Sequence, residues 1–536
     1  MKRRNFVSLA TLAGAAPLLH ASTGPTHTPL DGEHAMRSGP LDEVGVADLQ
    51  AMMTAGKTTS RKLVQQYIKR INEVDRVAGG VNAVIELNPD ALSLAAESDR
   101  ARKAGTVRGP LHGIPVLLKD NIDTGDRMMT TAGSLAMLGH RAARDAFIVE
   151  RLRAAGAIVL GKTNLSEWAN YRSRRSSSGW SGRGRQTRNP YALDRNPCGS
   201  SAGSAAAAAA SLCAVTIGTE TDGSIVCPAS ACGIVGIKPT VGLWSRAGII
   251  PISATQDTAG PMGRTVADAA ALLGPLTGID ANDARTADSK SHAHSDYTRF
   301  LDADGLRGKR IGVMRSRFGF HEDVDRVMEA SIAVMKARGA VIVDPVQIND
   351  RGVGAAEGIV LSYEFKDGLN RYLAEHPRAP VRTLADVIAW NNAHADVSMP
   401  YFQQETLLRA ESRGGLDASE YTEALATMLK GSRADGIDAT MAEHRLDAIM
   451  APTGGPAWPT DVIGGDHFGG GSSGYAARAG YPNITVPAGY VHGLPVGMSL
   501  FAGVWQEPAL IAMAYAFEQA TKVRRAPGFV RTLVLG

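Results

Sequence analysis

The chain has 536 residues, 44% of them apolar and 21% charged, a balance that suits a large buried core and excludes a disordered chain. Its formal charge is +4, but removing Lys2, Arg3 and Arg4 with the first 21 residues leaves 54 basic against 53 acidic side chains, or +1. Nucleic-acid binding through a basic patch therefore has no compositional support.

The first residues read as an address. Lys2, Arg3 and Arg4 open an apolar run that ends near Leu19, too short to span a bilayer and suited to the core of a signal peptide. Arg3-Arg4-Asn5-Phe6 fits a twin-arginine export signal, and Ala21 offers a cleavage point. A signal peptide over 1–21 and a single folded unit over 22–536 are expected. The export machinery would be a partner, and the periplasm or the exterior the destination. Length alone would allow two to four domains of about 150 residues, but no repeat, charge block or linker marks a boundary.

Residues 41–105 are expected to be helical, because Leu63, Tyr67, Ile68 and Ile71 recur at helical spacing, as do Ala91, Leu94, Ala95 and Ser98. From Gly109 onward, Gly/Pro punctuation separates short β-rich runs. Segments 116–118 and 157–160 read as buried strands with a helix at 147–155 between them. Segment 202–212 reads as a helix of small residues, too weakly apolar to span a membrane, and 214–217 as a strand. A mostly helical stretch, about 324–444, holds Tyr363, Phe365, Tyr372 and Trp390. Strand signals return at 448–450, 484–486 and 496–500. This alternation predicts an α/β fold, a central twisted mixed sheet covered by helices on both faces. No stable membrane association is expected.

The 59 glycines are densest between Gly105 and Gly263, which marks that stretch for close backbone approach and a site. Two motifs there are decoys. Residues 156–163 spell the P-loop pattern, yet Ala157-Ile158-Val159-Leu160 is itself a strand, where a phosphate loop must turn. Residues 199–203 spell a nucleophile elbow centred on Ser201, yet Asn196-Pro197 before it is a turn and not a strand. The four cysteines, Cys198, Cys213, Cys227 and Cys232, form no CxxC pair and lie beside no histidine at ligand spacing. No metal site is expected. They read as buried free thiols, although an oxidising compartment permits a disulfide.

Three glycine-flanked polar segments remain. Lys119 ends the apolar run of Gly113-Ile114-Pro115-Val116-Leu117-Leu118-Lys119-Asp120-Asn121. An isolated lysine in such a place usually snorkels to the surface; held in a dry site, it would lose its proton readily and act as a base. The second segment, Cys198-Gly199-Ser200-Ser201-Ala202-Gly203-Ser204, has more Ser and Gly than a helix cap needs. The third is Thr221-Asp222-Gly223-Ser224-Ile225, a strand-to-loop turn.

Together these segments resemble the amidase signature family, and the 24-residue spacing of Ser200 and Ser224 is the one that family keeps between its two catalytic serines. Further matches at 161–164, 233–240, 257–262, 447–453 and 479–482 extend the similarity over about 41–521. The resemblance implies a single amidase-signature domain without metal or cofactor. Ser224 would be the nucleophile, Ser200 the bridging serine after a cis Gly199–Ser200 bond, and Lys119 the base. Backbone N–H groups of Thr221, Asp222, Gly223 and Ser224 would form the oxyanion hole. Trp168 and Asn170 fall in a loop where relatives contact substrate, although core packing explains Trp168 equally well.

The chain departs from the general pattern in three places. Asp222 and Cys198 replace glycines, and Glu220 replaces an aspartate. Asp222 would favour a substrate bearing N–H donors or positive charge, or serve a structural hydrogen bond. Val226 stands where many relatives carry arginine, which favours a neutral acyl side. Segments 195–201, 220–228 and 363–366 look most like bacterial peptide amidases, which hydrolyse C-terminal carboxamides of peptides. The expected substrate is therefore a small amide or peptide amide, taken by a monomer. Alternatives are other aliphatic, aryl or fatty amides, or a role as the glutaminase component of a tRNA-dependent amidotransferase.

Overall fold

Short apolar runs between turn signals pair into one large sheet in the computed structural model, which describes residues 39–533. The expected signal at 1–21 lies outside the described residues. In chain order the strands are β1 (Val84–Leu87), β2 (Pro115–Lys119), β3 (Ile158–Thr163), β4 (Trp180–Ser181), β5 (Arg185–Gln186), β6 (Val215–Glu220) and β7 (Val235–Lys238). There follow β8 (Thr258–Gly263), β9 (Arg310–Val313), β10 (Val341–Val343), β11 (Ala448–Pro452), β12 (Asn483–Val491) and β13 (Leu494–Phe501). Eleven of them form a sheet in the order β1-β3-β2-β6-β8-β7-β12-β13-β11-β9-β10, with β4 and β5 as a separate ribbon. Strands β3, β2 and β6 run parallel, the pairs from β6 through β8, β7, β12 and β13 to β11 run antiparallel, and β11, β9 and β10 are parallel again. The fold is thus a mixed α/β sheet with packed helices in a single unit. Among the described residues no helix is long and apolar enough to cross a membrane.

The expected strands and the helix after β2 are present with small changes of boundary. The alanine helix stops at Ala209. One expectation is corrected. The helical stretch 41–105 is broken by β1, whereas 324–444 is mostly helical as expected, with the short β10 near its start. Strands β7, β8 and β9 lie where the sequence pattern predicts none.

The parallel pairing sets the site. Leu118 sits level with Lys162 on β3 and with Ile217 on β6, so Lys119 ends β2 beside the last residues of β6. The helix Ala202–Ala209 is buried along its whole length against these strands. Small residues make that approach possible. A Cβ at Gly203 would stand 2.4 Å from the Asn164 carbonyl, and one at Gly218 would meet Ser201 Oγ at 2.8 Å. Each substitution would therefore push apart the segments that carry the polar site.

Candidate active site

Lys119 is fully buried, and its ammonium nitrogen faces oxygens on every polar side. It donates to Ser200 Oγ at 2.8 Å, Ser201 Oγ at 3.0 Å, Thr219 Oγ1 at 2.9 Å and the Thr219 carbonyl at 3.2 Å. Burial disfavours its charged form and brings its pKa down to about 7, against a weaker opposing pull from the Asp257 and Glu220 carboxylates. A lysine at that value is about half neutral at pH 7 and can take a proton. The strand end around it is fixed by its neighbours. Asp120 accepts two bonds of 3.0 Å from Arg183, and Asn121 Nδ2 donates to Thr219 Oγ1 at 3.0 Å.

Ser200 lies on the Lys119 side of a turn whose Gly199–Ser200 peptide bond is cis, as the resemblance implies. Ser224 sits one segment away, and the Ser201 N–H donates to its carbonyl at 3.1 Å. The two serine segments are therefore joined through the backbone. The Ser224 hydroxyl itself forms no hydrogen bond to any described residue, so the link from Ser200 Oγ to Ser224 Oγ is open in the free chain. Apo sites commonly tighten such links only when substrate binds.

The turn before Ser224 is held by three carboxylates. Glu220 accepts from the Ile225 and Val226 N–H groups at 2.7 and 3.0 Å, capping the helix Val226–Ala231. Burial pushes its carboxyl up, opposed by Lys238. Asp257 accepts from Thr221 Oγ1 at 2.6 Å and from the Ile252 and Ser253 N–H groups at 2.7 and 2.8 Å, and burial raises its pKa to about 6. Asp222 Oδ1 accepts from Ser473 Oγ at 2.5 Å, which realises the structural alternative expected for it. Gly223 adopts φ +79°, a conformation strained for any side chain. Behind the turn, Gln256 bridges the Thr221 carbonyl and Glu357, and Glu357 accepts from Arg478 Nε at 2.8 Å.

A cavity of about 280 Å³ opens on the lysine side, walled in part by Asn121, Thr219, Thr221, Ile250, Ile252 and Asp257. Ser224 is not on its wall. Asn170 is half-buried and donates from Nδ2 to Ser178 Oγ at 2.9 Å, and Ser178 in turn packs against Gly199. Trp168 is 1% exposed, in an apolar cluster with Phe365, Leu369 and Leu373.

The free-thiol reading is corrected for two of the four cysteines. Cys198 and Cys227 form a disulfide, while Cys213 and Cys232 are free and buried. The spacing of 29 residues carries no local signature; the fold alone brings the pair together. The decoys resolve as expected. Gly161, Lys162 and Thr163 lie within β3, and Lys162 Nζ donates to the Ile122 carbonyl at 2.6 Å. Residues 196–200, immediately before Ser201, form no strand.

Three ligand-type side chains, Asp123, His140 and His376, converge within 4.8 Å, but the chain's own bonds engage all of them. Tyr372 donates to Asp123 Oδ1 at 2.8 Å and bonds His140 Nε2 at 3.1 Å. His376 Nε2 faces Asp123 Oδ2 at 3.1 Å while Nδ1 donates to the Tyr372 carbonyl at 2.7 Å.

A buried lysine thus touches one serine hydroxyl, and a second serine stands on the turn before the helix Val226–Ala231, with no histidine among the lysine's hydrogen-bond partners. The Amidase family model matches residues 62–511, and the chain belongs to that family and is a hydrolase acting on C–N bonds. It is 53% identical to the native peptide amidase from Stenotrophomonas maltophilia, with a TM-score of 0.88 over 91% of this chain and 99% of that one. A "Probable amidase" of Arabidopsis thaliana is 43% identical, covering 91% of this chain and 92% of the relative. A glutamyl-tRNA(Gln) amidotransferase subunit of Halorhodospira halophila is 33% identical, covering 89% and 97%.

Residues that sequence reasoning missed are Thr219 and Ser201, which complete the lysine's socket, and Ser473, Gln256, Asp257, Glu357 and Arg478 behind the turn. Of these, Ser201, Thr219 and Asp257 fall within segments that match the family pattern.

Proposed function

We propose that the chain hydrolyses the C-terminal carboxamide of peptides to the carboxylate and ammonia through an acyl-serine intermediate. The observation that carries this reading is the 2.8 Å contact between a dry Lys119 and Ser200 Oγ. Neutral Lys119 takes the Ser200 proton while Ser200 takes that of Ser224, and the Ser224 oxygen attacks the amide carbon. The relay then reverses to protonate the leaving ammonia, and water releases the acid. The N–H groups of Thr221, Asp222, Gly223 and Ser224 face the developing oxyanion, each donor contributing roughly 3 kcal/mol. Asn170, beside the Ser200 turn through Ser178, contacts substrate, and Trp168 packs behind it. Val226 in place of arginine leaves the acyl side neutral, and the likeness to peptide amidase supports an extended peptide there. The enzyme acts as a monomer after twin-arginine export, in the periplasm or outside the cell.

Ammonia release from a panel of peptide amides, aryl amides, fatty amides and glutamine tests this reading. Turnover of peptide amides alone or foremost is expected. Clear turnover of aryl or fatty amides with none of peptide amides rejects it. The likeness to the glutamyl-tRNA(Gln) amidotransferase favours glutamine as the second candidate, with a cytoplasmic location that cell fractionation would reveal.

A further inference from the structure

We propose that the Cys198–Cys227 disulfide is a positioning cross-link for the proton relay, holding the Ser200 and Ser224 segments at working distance. This rests on the serine–serine–lysine reading, though not on which amide is the substrate.

The relay demands a narrow geometry. Its hydroxyls must meet at about 2.6–3.2 Å, and a serine side chain has one torsion with which to reach. The backbone spacing of two segments 24 residues apart therefore decides whether the proton moves. Upstream of Ser224, Ser201 Oγ accepts from the Thr219 N–H at 3.1 Å and donates to the Thr219 carbonyl at 2.9 Å; two further ties reach Ser224 and the residues after it. One is the hydrogen bond from Ser201 N–H to the Ser224 carbonyl, at 3.1 Å. The other is the disulfide, which starts two residues before Ser200 and ends three residues after Ser224, with the α-carbons 6.0 Å apart. The two ties flank Ser200, so neither segment can pivot about a single bond.

Both ends of the cross-link are anchored. The Cys198 N–H donates to Asn196 Oδ1 at 2.8 Å, and the Asn196 N–H donates to the Trp458 carbonyl at 2.7 Å. Cys198 adopts φ +59°, so its sulfur leaves the turn from a fixed, left-handed residue. The Cys227 N–H donates to the Gly223 carbonyl at 2.8 Å, which ties that sulfur to the oxyanion turn itself. Trp458 and Ala231 pack over the pair. The nearest alternative thiol, Cys232, donates to the Pro197 carbonyl at 3.7 Å, and burial pushes its pKa up, which keeps it protonated and slow to exchange. A dithiol reagent such as dithiothreitol would break the S–S bond by supplying two electrons and two protons. It would leave as its own cyclic disulfide, with two thiols on the protein.

The test compares wild type, Cys198→Ala, Cys227→Ala and the double variant. The rate at which an acyl-serine reagent labels Ser224 is measured alongside kcat and KM for ammonia release. All three variants should lose about 10- to 100-fold in kcat and labelling rate, with KM within about threefold, and the double variant should be no worse than either single one. A folded double variant that labels at the wild-type rate overturns the proposal. So does recovery in the double of a loss seen in the singles, which would mean packing and not the cross-link mattered. A control, Met335→Ala in the remote helix Glu322–Ala337, should lower Tm while leaving the labelling rate unchanged. Should the variants not fold, wild type is reduced with dithiothreitol under far-UV circular dichroism. The labelling rate should fall as the thiol count rises and return on reoxidation; a fully reduced, folded enzyme with an undiminished rate overturns the proposal. Wild type that labels but releases no ammonia from peptide amides refutes the substrate reading and leaves this inference standing.

Discussion

Two buried lysines on adjacent parallel strands face opposite fates. Lys119 ends β2 and Lys162 lies level with Leu118 on β3; both are fully buried and in both burial lowers the pKa. Their sockets differ in kind. Lys162 faces the carbonyls of Ile122 and Met129 and the Thr130 hydroxyl, with the Asp120, Asp123 and Asp126 charges favouring its ammonium. Lys119 faces three hydroxyls and one carbonyl. A carbonyl only accepts, so it serves the ammonium's extra N–H but offers nothing to a neutral amine's lone pair. A hydroxyl also donates, so it can satisfy a neutral amine. Desolvation alone therefore does not make a base; the partners must tolerate the neutral form.

The strongest way to break this contrast is at the nucleophile. Ser224→Ala should abolish acyl-serine labelling and lower turnover by about 10⁴-fold or more. Labelling that persists would move the nucleophile elsewhere. Substitution of the two lysines sharpens the contrast itself. Lys119→Met should cost turnover about 10³-fold with little loss of Tm. Lys162→Met should leave turnover within about tenfold but destabilise the fold by about 1–3 kcal/mol, since it orphans buried carbonyls. Urea unfolding and steady-state rates on the same preparations separate the two outcomes.

A smaller effect is expected at the histidine cluster around Asp123. Burial opposes charge on His376, but the Asp123 carboxylate and the Tyr372 carbonyl hold its pKa above the ordinary histidine value. Both ring nitrogens face acceptors, so the folded state favours the imidazolium. A raised folded pKa contributes stability that is complete below the unfolded value of about 6.5 and is lost as pH rises through the folded value. His376→Gln should therefore lower Tm more at pH 6 than at pH 9. Equal losses at both would contradict the charged pair.

Much of the site was legible because its residues sit in short glycine-flanked segments with distinctive chemistry. Residue type marked the segments that hold Lys119, Ser200 and Ser224, the resemblance to the amidase signature family singled out those three positions, and strand context dismissed Lys162 and Ser201 as decoy centres. Helices within 41–105 followed from periodicity, and the apolar strands β2, β3, β6, β11, β12 and β13 from short apolar runs. Strand β8, Thr-Ala-Gly-Pro-Met-Gly, was hidden because Gly and Pro argue against a strand; its pairing with β6 and β7 overrides that preference. Strand β1 is four residues long inside a helical stretch, too short for a period. The disulfide and the chain from Gln256 through Glu357 to Arg478 join positions far apart in sequence. Such contacts leave no local pattern.

The central claim is that Lys119 is the site's neutral base. The most direct measurement is a titration of ¹³C-ε-labelled lysines by NMR, with Lys119 assigned from the signal missing in Lys119→Met. This signal should titrate with a midpoint at about 7, and kcat/KM should rise through the same pH as the proton leaves. A Lys119 signal that stays charged to pH 9 or above, in an enzyme already fully active at pH 7, would contradict the claim.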